Sequence, residues 1–221
     1  QSFKISKHSF SIIDKFEQYE DTWVGQLVSS DIIEVIGNWD KCRAKLFRTE
    51  EIIFSSYSPK NLIDYVDGIG NDKKFFIPGL LTFPEGNQER YPIMILIVNS
   101  GCGYNFRNFT YGFDIKNQGV ATLELDNCKP RGLSEFNPIA AGNSQKLTPW
   151  MGAADALHAL KFLQNHPKVD ADKIGITGFS WGGQATLWTG IDLVRKSIVG
   201  DKVDFALRVP YYPYCRYFDD P

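Results

Sequence analysis

The stretch that decides how this chain is read is Lys173-Ile174-Gly175-Ile176-Thr177-Gly178-Phe179-Ser180-Trp181-Gly182-Gly183, followed by Gln184-Ala185-Thr186-Leu187. Its first part is a short apolar, β-branched run of the kind that forms a buried strand, and the part after Gly183 turns to helix formers. A G-x-S-x-G motif between a strand and a helix puts its serine on a sharp, strained turn. Small residues two positions before and after the serine keep neighbouring backbones apart, and Gly178 and Gly182 meet that need. The helix beginning after Ser180 points its free N–H groups and positive dipole end at the place where a negative oxygen would develop. Ser180 is therefore the expected nucleophile and the Trp181 N–H an expected oxyanion donor. Gly183 gives further room for close helix packing.

Outward from this motif, residues 150–165 carry Ala153, Ala156, Leu157, Leu160 and Leu163 on one side at the 3.6-residue period. Asp155, His158, Lys161 and Asn165 fall opposite, which predicts a solvated His158. Thr148 is placed to cap this helix, Pro149 suits its first position, and His166-Pro167 ends it. Residues 91–99, 120–125, 173–177 and 205–212 are continuous apolar runs, the mark of parallel strands covered on both faces. The fold class that follows is α/β, a mostly parallel sheet with helices on both faces. Residues 52–57 and 73–83, separated by turn formers at 67–68 and 70–72, predict an antiparallel pair. Residues 1–50 read as an extension of mixed helical character, because segments 11–18 and 23–39 show helical spacing such as Val24, Leu27, Val28 and Ile32.

Composition narrows the function classes. The 221 residues are 43% hydrophobic and 23% charged, a globular balance. Lys plus Arg number 24 against 26 acidic residues, so no basic excess exists to neutralise nucleic acid. The longest aliphatic run, residues 92–98, is far shorter than the roughly 20 residues of a membrane span. Cys42, Cys102, Cys128 and Cys215 include no C-x-x-C pair, which argues against a finger-type zinc site. The chain opens on Gln1 rather than Met, which leans the reading towards a processed N-terminus and an extracytoplasmic location. Oligomeric state is left open.

Further site residues surround the motif. The small-residue turn Ser100-Gly101-Cys102-Gly103-Tyr104 follows the apolar run at 91–99, and its Gly101 N–H is the expected second oxyanion donor, with Cys102 as the alternative. A dinucleotide reading of Gly101 and Gly103 fails because Phe106 stands where the third glycine belongs. Asp126 and Arg131 read as a structural ion pair at the carboxyl edge of the sheet. Tyr104, Phe106, Trp181, Tyr211, Tyr212 and Tyr214 are expected at the same edge, with Tyr104 and Tyr212 as substrate-pocket residues. Cys102 and Cys128 read as a disulfide or as two buried thiols.

These motifs resemble the dienelactone hydrolase branch of the α/β-hydrolases. The resemblance runs from about residue 51 to 221 and rests on YPIMILIVNSGCG, GVATLELDNCKPRG, ALHALKFLQNHPKVDADKIGITGFSWGG and YYPYC. It implies a serine or cysteine nucleophile, an acid and a histidine acting on small esters or lactones, with no metal or cofactor. Two features depart from the pattern. Asn99-Ser100 stands where many relatives carry His-Gly, and no histidine follows Ser180, although the triad order in this fold is nucleophile, acid, histidine. His8 lies in the extension, His158 on the polar side of its helix, and His166 at the far end of the sheet, while Asp219 and Asp220 are the acids that follow. The expectation is an α/β-hydrolase core at 51–221 that stops after its sixth strand and draws its acid and base from elsewhere. Its expected activity is cleavage of a carboxylic ester or lactone through an acyl-enzyme on Ser180. A peptidase or acyl transferase on the same fold, and a non-catalytic binding module, are the alternatives.

Overall fold

The structure, a computed structural model, describes residues 2–5, 9–16, 19–27, 32–37, 43–97, 106–133 and 147–213, and side chains over 47–97, 111–133 and 147–213. Strands β1 (Ser2–Ile5), β2 (Ser9–Phe16), β3 (Tyr19–Leu27), β4 (Ile32–Gly37) and β5 (Arg43–Phe47) pair antiparallel in chain order as one five-stranded sheet. The helical expectation for the extension is therefore corrected. Val24 and Leu27 fall in β3 and Ile32 in β4, so the helix-like spacing runs across two strands rather than along one element. The abundance of β-branched residues, such as Ile32, Ile33, Val35 and Ile36, favours the strand.

The second sheet starts at Thr49. Its elements are β6 (Thr49–Ser56), α1 (Leu62–Asp67), β7 (Phe75–Thr82), β8 (Tyr91–Ile97), α2 (Phe106–Asn117), β9 (Ala121–Leu125), α3 (Pro149–Leu163), β10 (Val169–Phe179), α4 (Trp181–Trp188), α5 (Asp192–Val199) and β11 (Leu207–Tyr211). The spatial order is β6-β7-β9-β8-β10-β11. β8, β9, β10 and β11 run parallel, whereas β7 is antiparallel to both β6 and β9. The third and fourth strands of this sheet, β8 and β9, are neighbours, and the expected pair β6–β7 is present.

The four apolar runs became β8, β9, β10 and β11, and burial explains why the first three are apolar almost throughout. Ile93, Ile95, Ile97, Leu123, Leu125, Ile174 and Ile176 are at most 1% exposed and share one core with Leu157, Leu160 and Leu163 of α3. Burying each such side chain is worth about 1.5–3 kcal/mol. On the other face, a Cβ on Gly112 of α2 would sit 3.4 Å from Leu96 and 3.7 Å from Glu124, so α2 lies directly on the sheet there. Sequential strands that point the same way leave their carboxyl ends along one edge, where α/β sheets bind ligands.

Helix ends follow the local chemistry. Thr148 Oγ1 accepts the Met151 N–H and Pro149 opens α3, as expected. The helix α1 was not anticipated, yet its signals are short-range: Asn61 accepts the Asp64 N–H, and Gly68 closes it at φ 66. Among the described residues no helix is long and apolar enough to cross a membrane, and no group of His, Cys, Asp and Glu is placed to hold a metal ion.

Candidate active site

Ser180 joins β10 to α4 at φ 53 and ψ −111, a conformation costly for any residue with a Cβ. Three contacts hold it there. The Ser180 N–H donates to the Tyr211 carbonyl at 3.0 Å, so the turn is tied to β11, and the Ser180 carbonyl accepts the Gln184 N–H at 2.9 Å, starting α4. The third contact is steric: a Cβ on Gly178 would lie 2.2 Å from the Gly182 carbonyl oxygen and 2.9 Å from Thr186 Oγ1. Gly183 is equally pressed, since its Cβ would lie 2.6 Å from the Tyr211 carbonyl oxygen. The strand end, the serine and the first turn of α4 thus pack closer than any side-chain-bearing residue at 178 or 183 allows.

The predicted pocket residues divide. Gly101, Cys102, Tyr104 and Tyr214 lie outside the described residues, as does the side chain of Phe106. The Trp181 ring is buried against Gly152 of α3, where a Cβ would meet it at 2.7 Å, and its Nε1–H donates to the Leu147 carbonyl at 3.3 Å. Its ring is part of the buried core, which corrects the expectation that it is open at the edge. Tyr211 and Tyr212 are exposed at the end of β11, and Tyr212 has φ 33. Two residues missed from sequence join them: Phe179 stacks on Tyr211 at 4.8 Å and on Tyr111 of α2 at 4.5 Å. A signal existed for Phe179, which is adjacent to Ser180, but none for Tyr111, which only folding brings there.

Asp126 and Arg131 do not pair, and that expectation is corrected. Asp126 Oδ1 instead accepts the N–H groups of Cys128 and Lys129 at 3.0 Å each, capping the short 3-10 turn Lys129–Arg131. Arg131 reaches α3 and grips Asp155 with two N–H···O bonds of 2.8 and 3.0 Å. Its other donors go to Ser58 Oγ and to the carbonyls of Asn127 and Tyr57, so all five guanidinium N–H groups are used. Asn127 Nδ2 adds a 2.7 Å bond to Asp155. Arg131 and Asp155 are 3% and 0% exposed at their side chains, so the side of α3 expected to be polar and solvated is buried at this point. Cys128 is disulfide-bonded, with its partner outside the described residues.

Neither described histidine stands beside Ser180. His166 precedes β10 while Ser180 follows it, so the 11 residues of that strand, at about 3.3 Å each, separate them. His166 Nε2 lies 3.5 Å from Glu50. His158 packs edge-to-face on Tyr57 and lines a cleft of about 600 Å³ with residues of α1 and α5. It is largely buried, which corrects the solvated expectation, and its Nε2 has no partner among the described residues. Burial pushes its pKa down to about 4; Lys161 and Lys74 push the same way and Asp155 opposes. The imidazole in that cleft is therefore neutral at pH 7. His8, Asp219 and Asp220 lie outside the described residues.

No protein-family model matches the chain, and no curated protein matches it. Solved structures similar to it include a dienelactone hydrolase from Anabaena variabilis, 20% identical with a TM-score of 0.42 over 62% of this chain and 56% of the other. Est1E from Butyrivibrio proteoclasticus is 19% identical, with a TM-score of 0.42 over 57% of this chain and 44% of the other. The α/β hydrolase GrgF from a Penicillium species is 16% identical, with a TM-score of 0.45 over 64% of this chain and 41% of the other. The chain spans about half the length of these structures. At such likeness the chemistry of the site rests on its own residues.

Proposed function

We propose that Ser180 is the nucleophile of a hydrolase that cleaves a carboxylic ester or lactone. The observation that carries this reading is the backbone of Ser180, held at φ 53 between β10 and α4 by Tyr211 and by glycines that admit no Cβ. Strain of this kind persists only where the surrounding structure enforces it, and a serine raised on such a turn presents its Oγ at the ligand-binding edge of the sheet. In the proposed reaction Oγ attacks the ester carbonyl carbon while a base takes its proton. The tetrahedral oxyanion is held by the Trp181 N–H at the start of α4 and by a second N–H assigned to Gly101. Collapse breaks the bond to the alcohol oxygen, which takes the proton back, and water then releases the acid from Ser180.

Neither His158 nor His166 is that base, on the placements given above. The same observation favours a second reading, a binding module that keeps the strained turn without turnover. A fluorophosphonate probe separates the two: an adduct mapped to Ser180 by mass spectrometry supports the nucleophile, and a folded protein that shows no adduct there rejects it.

A further inference from the structure

Beside Ser180 the described residues hold a contiguous group of stacked aromatic rings. Phe179 is 3% exposed, because Tyr111 from α2 and Tyr211 from β11 cover it. The Phe179 plane lies 25° from that of Tyr111 and 14° from that of Tyr211, and the two tyrosines lie 24° from each other at 6.3 Å. Three rings from three elements therefore share nearly one orientation, and Tyr212 borders them 6.1 Å from Phe179. The covering rings are themselves open: Tyr111 is 41% exposed and Tyr211 44%. A scattered exposed aromatic needs no explanation, but a contiguous set next to one functional backbone marks a binding surface. Its position is fixed by hydrogen bonding as well as sequence, since Phe179 precedes Ser180 and the Tyr211 carbonyl accepts the Ser180 N–H.

Parallel ring faces offer offset stacking to a flat π system, an attraction beyond the apolar area buried. A saturated ring of equal size receives only the area term. We propose that Tyr111, Phe179 and Tyr211 form a wall that selects esters bearing a planar aromatic ring, a specificity that rests on reading Ser180 as the nucleophile. The tyrosine hydroxyl groups suit a ligand with polar substituents at its edge.

The test compares matched esters whose reacting bonds are insulated from the ring by one methylene: methyl phenylacetate against methyl cyclohexylacetate, and benzyl acetate against cyclohexylmethyl acetate. The first pair places the ring on the acyl side and the second on the alcohol side. In at least one pair kcat/KM should favour the aromatic ester by about 5-fold, within the range that one or two stacked contacts supply. Tyr111→Leu with Tyr211→Leu should bring that ratio to about 1, and Tyr111→Phe with Tyr211→Phe should keep it. Ratios near 1 in both pairs for the unaltered protein overturn the wall, as does a ratio unchanged by the leucine variants when circular dichroism shows them folded. If no ester is turned over, the fluorophosphonate adduct alone decides the nucleophile reading. The wall is then tested by saturation-transfer NMR on Ser180→Ala with the same four esters: stronger binding of the aromatic members supports it, and equal binding overturns it.

Discussion

The turn at Ser180 and the buried cluster around Asp155 lie along the same edge of the sheet but are built in different ways. The turn is held by backbone contacts among residues close in sequence, Gly178 to Gly183, with one tie to β11. The cluster is held by charge: Arg131 and Asn127, from the turn after β9, both donate to the carboxylate of Asp155 on α3, out of reach of water. Steric strain of the first kind is written as glycine spacing. Charge burial of the second kind has no local pattern, because its cost is cancelled by partners at least 24 residues away.

The contrast can be broken most directly at the cluster. Arg131→Met leaves Asp155 buried with Asn127 as its remaining described partner, and removing one member of such a pair costs about 3–5 kcal/mol. Thermal unfolding should fall by roughly 10 °C for a chain of this size. Asp155→Leu combined with Arg131→Met should recover much of the loss, and a double variant as unstable as the single one would show that packing, not charge, is at stake. At the turn, Gly178→Ala should cost about 1–3 kcal/mol as an overpacked contact, and more if the Gly182 backbone cannot move. It should also abolish labelling of Ser180, which Arg131→Met should not do in the folded fraction.

His158 sharpens the comparison through pH. Its folded pKa, about 4, lies below the usual value near 6.5, so the unfolded chain takes up the proton first as pH falls. The stability linked to His158 is complete above about pH 6.5 and is lost between there and about pH 4, up to about 3 kcal/mol. Denaturant titrations at pH 7 and 4.5 should show a smaller difference for His158→Gln than for the unaltered protein; equal differences would place the imidazole in water. The smallest effect is expected at a cap that sequence already identifies: Thr148→Ala should cost about 1 kcal/mol by freeing the Met151 N–H.

How much was legible follows the same division. Thr148, Pro149, Gly178 and the apolar runs act through spacings of a few residues, and each led to the element observed. His158 and Asp155 lie at helical positions that read as polar, and α1, α5 and Arg131 close over them. Asp126 sits five residues from Arg131, near enough to suggest a pair, yet the two N–H groups just after it are nearer still and take its oxygen. The extension misled because its helix-like spacing, Val24 and Leu27 in one strand and Ile32 in the next, spans a chain reversal that only strand pairing reveals.

By itself the sequence determined the α/β class, the strand–serine–helix turn with its glycines, and the capped helix before it. Those features depend on backbone sterics and on periodicities that any few consecutive residues express. Tertiary structure alone decided that Arg131 serves Asp155, that His158 is buried away from Ser180, and that Tyr111 stacks beside Tyr211 on Phe179. Each joins residues far apart in the chain, whose meeting is set by strand order and helix packing, and the free energy of burying a charge or a ring is defined only once its neighbours are in place.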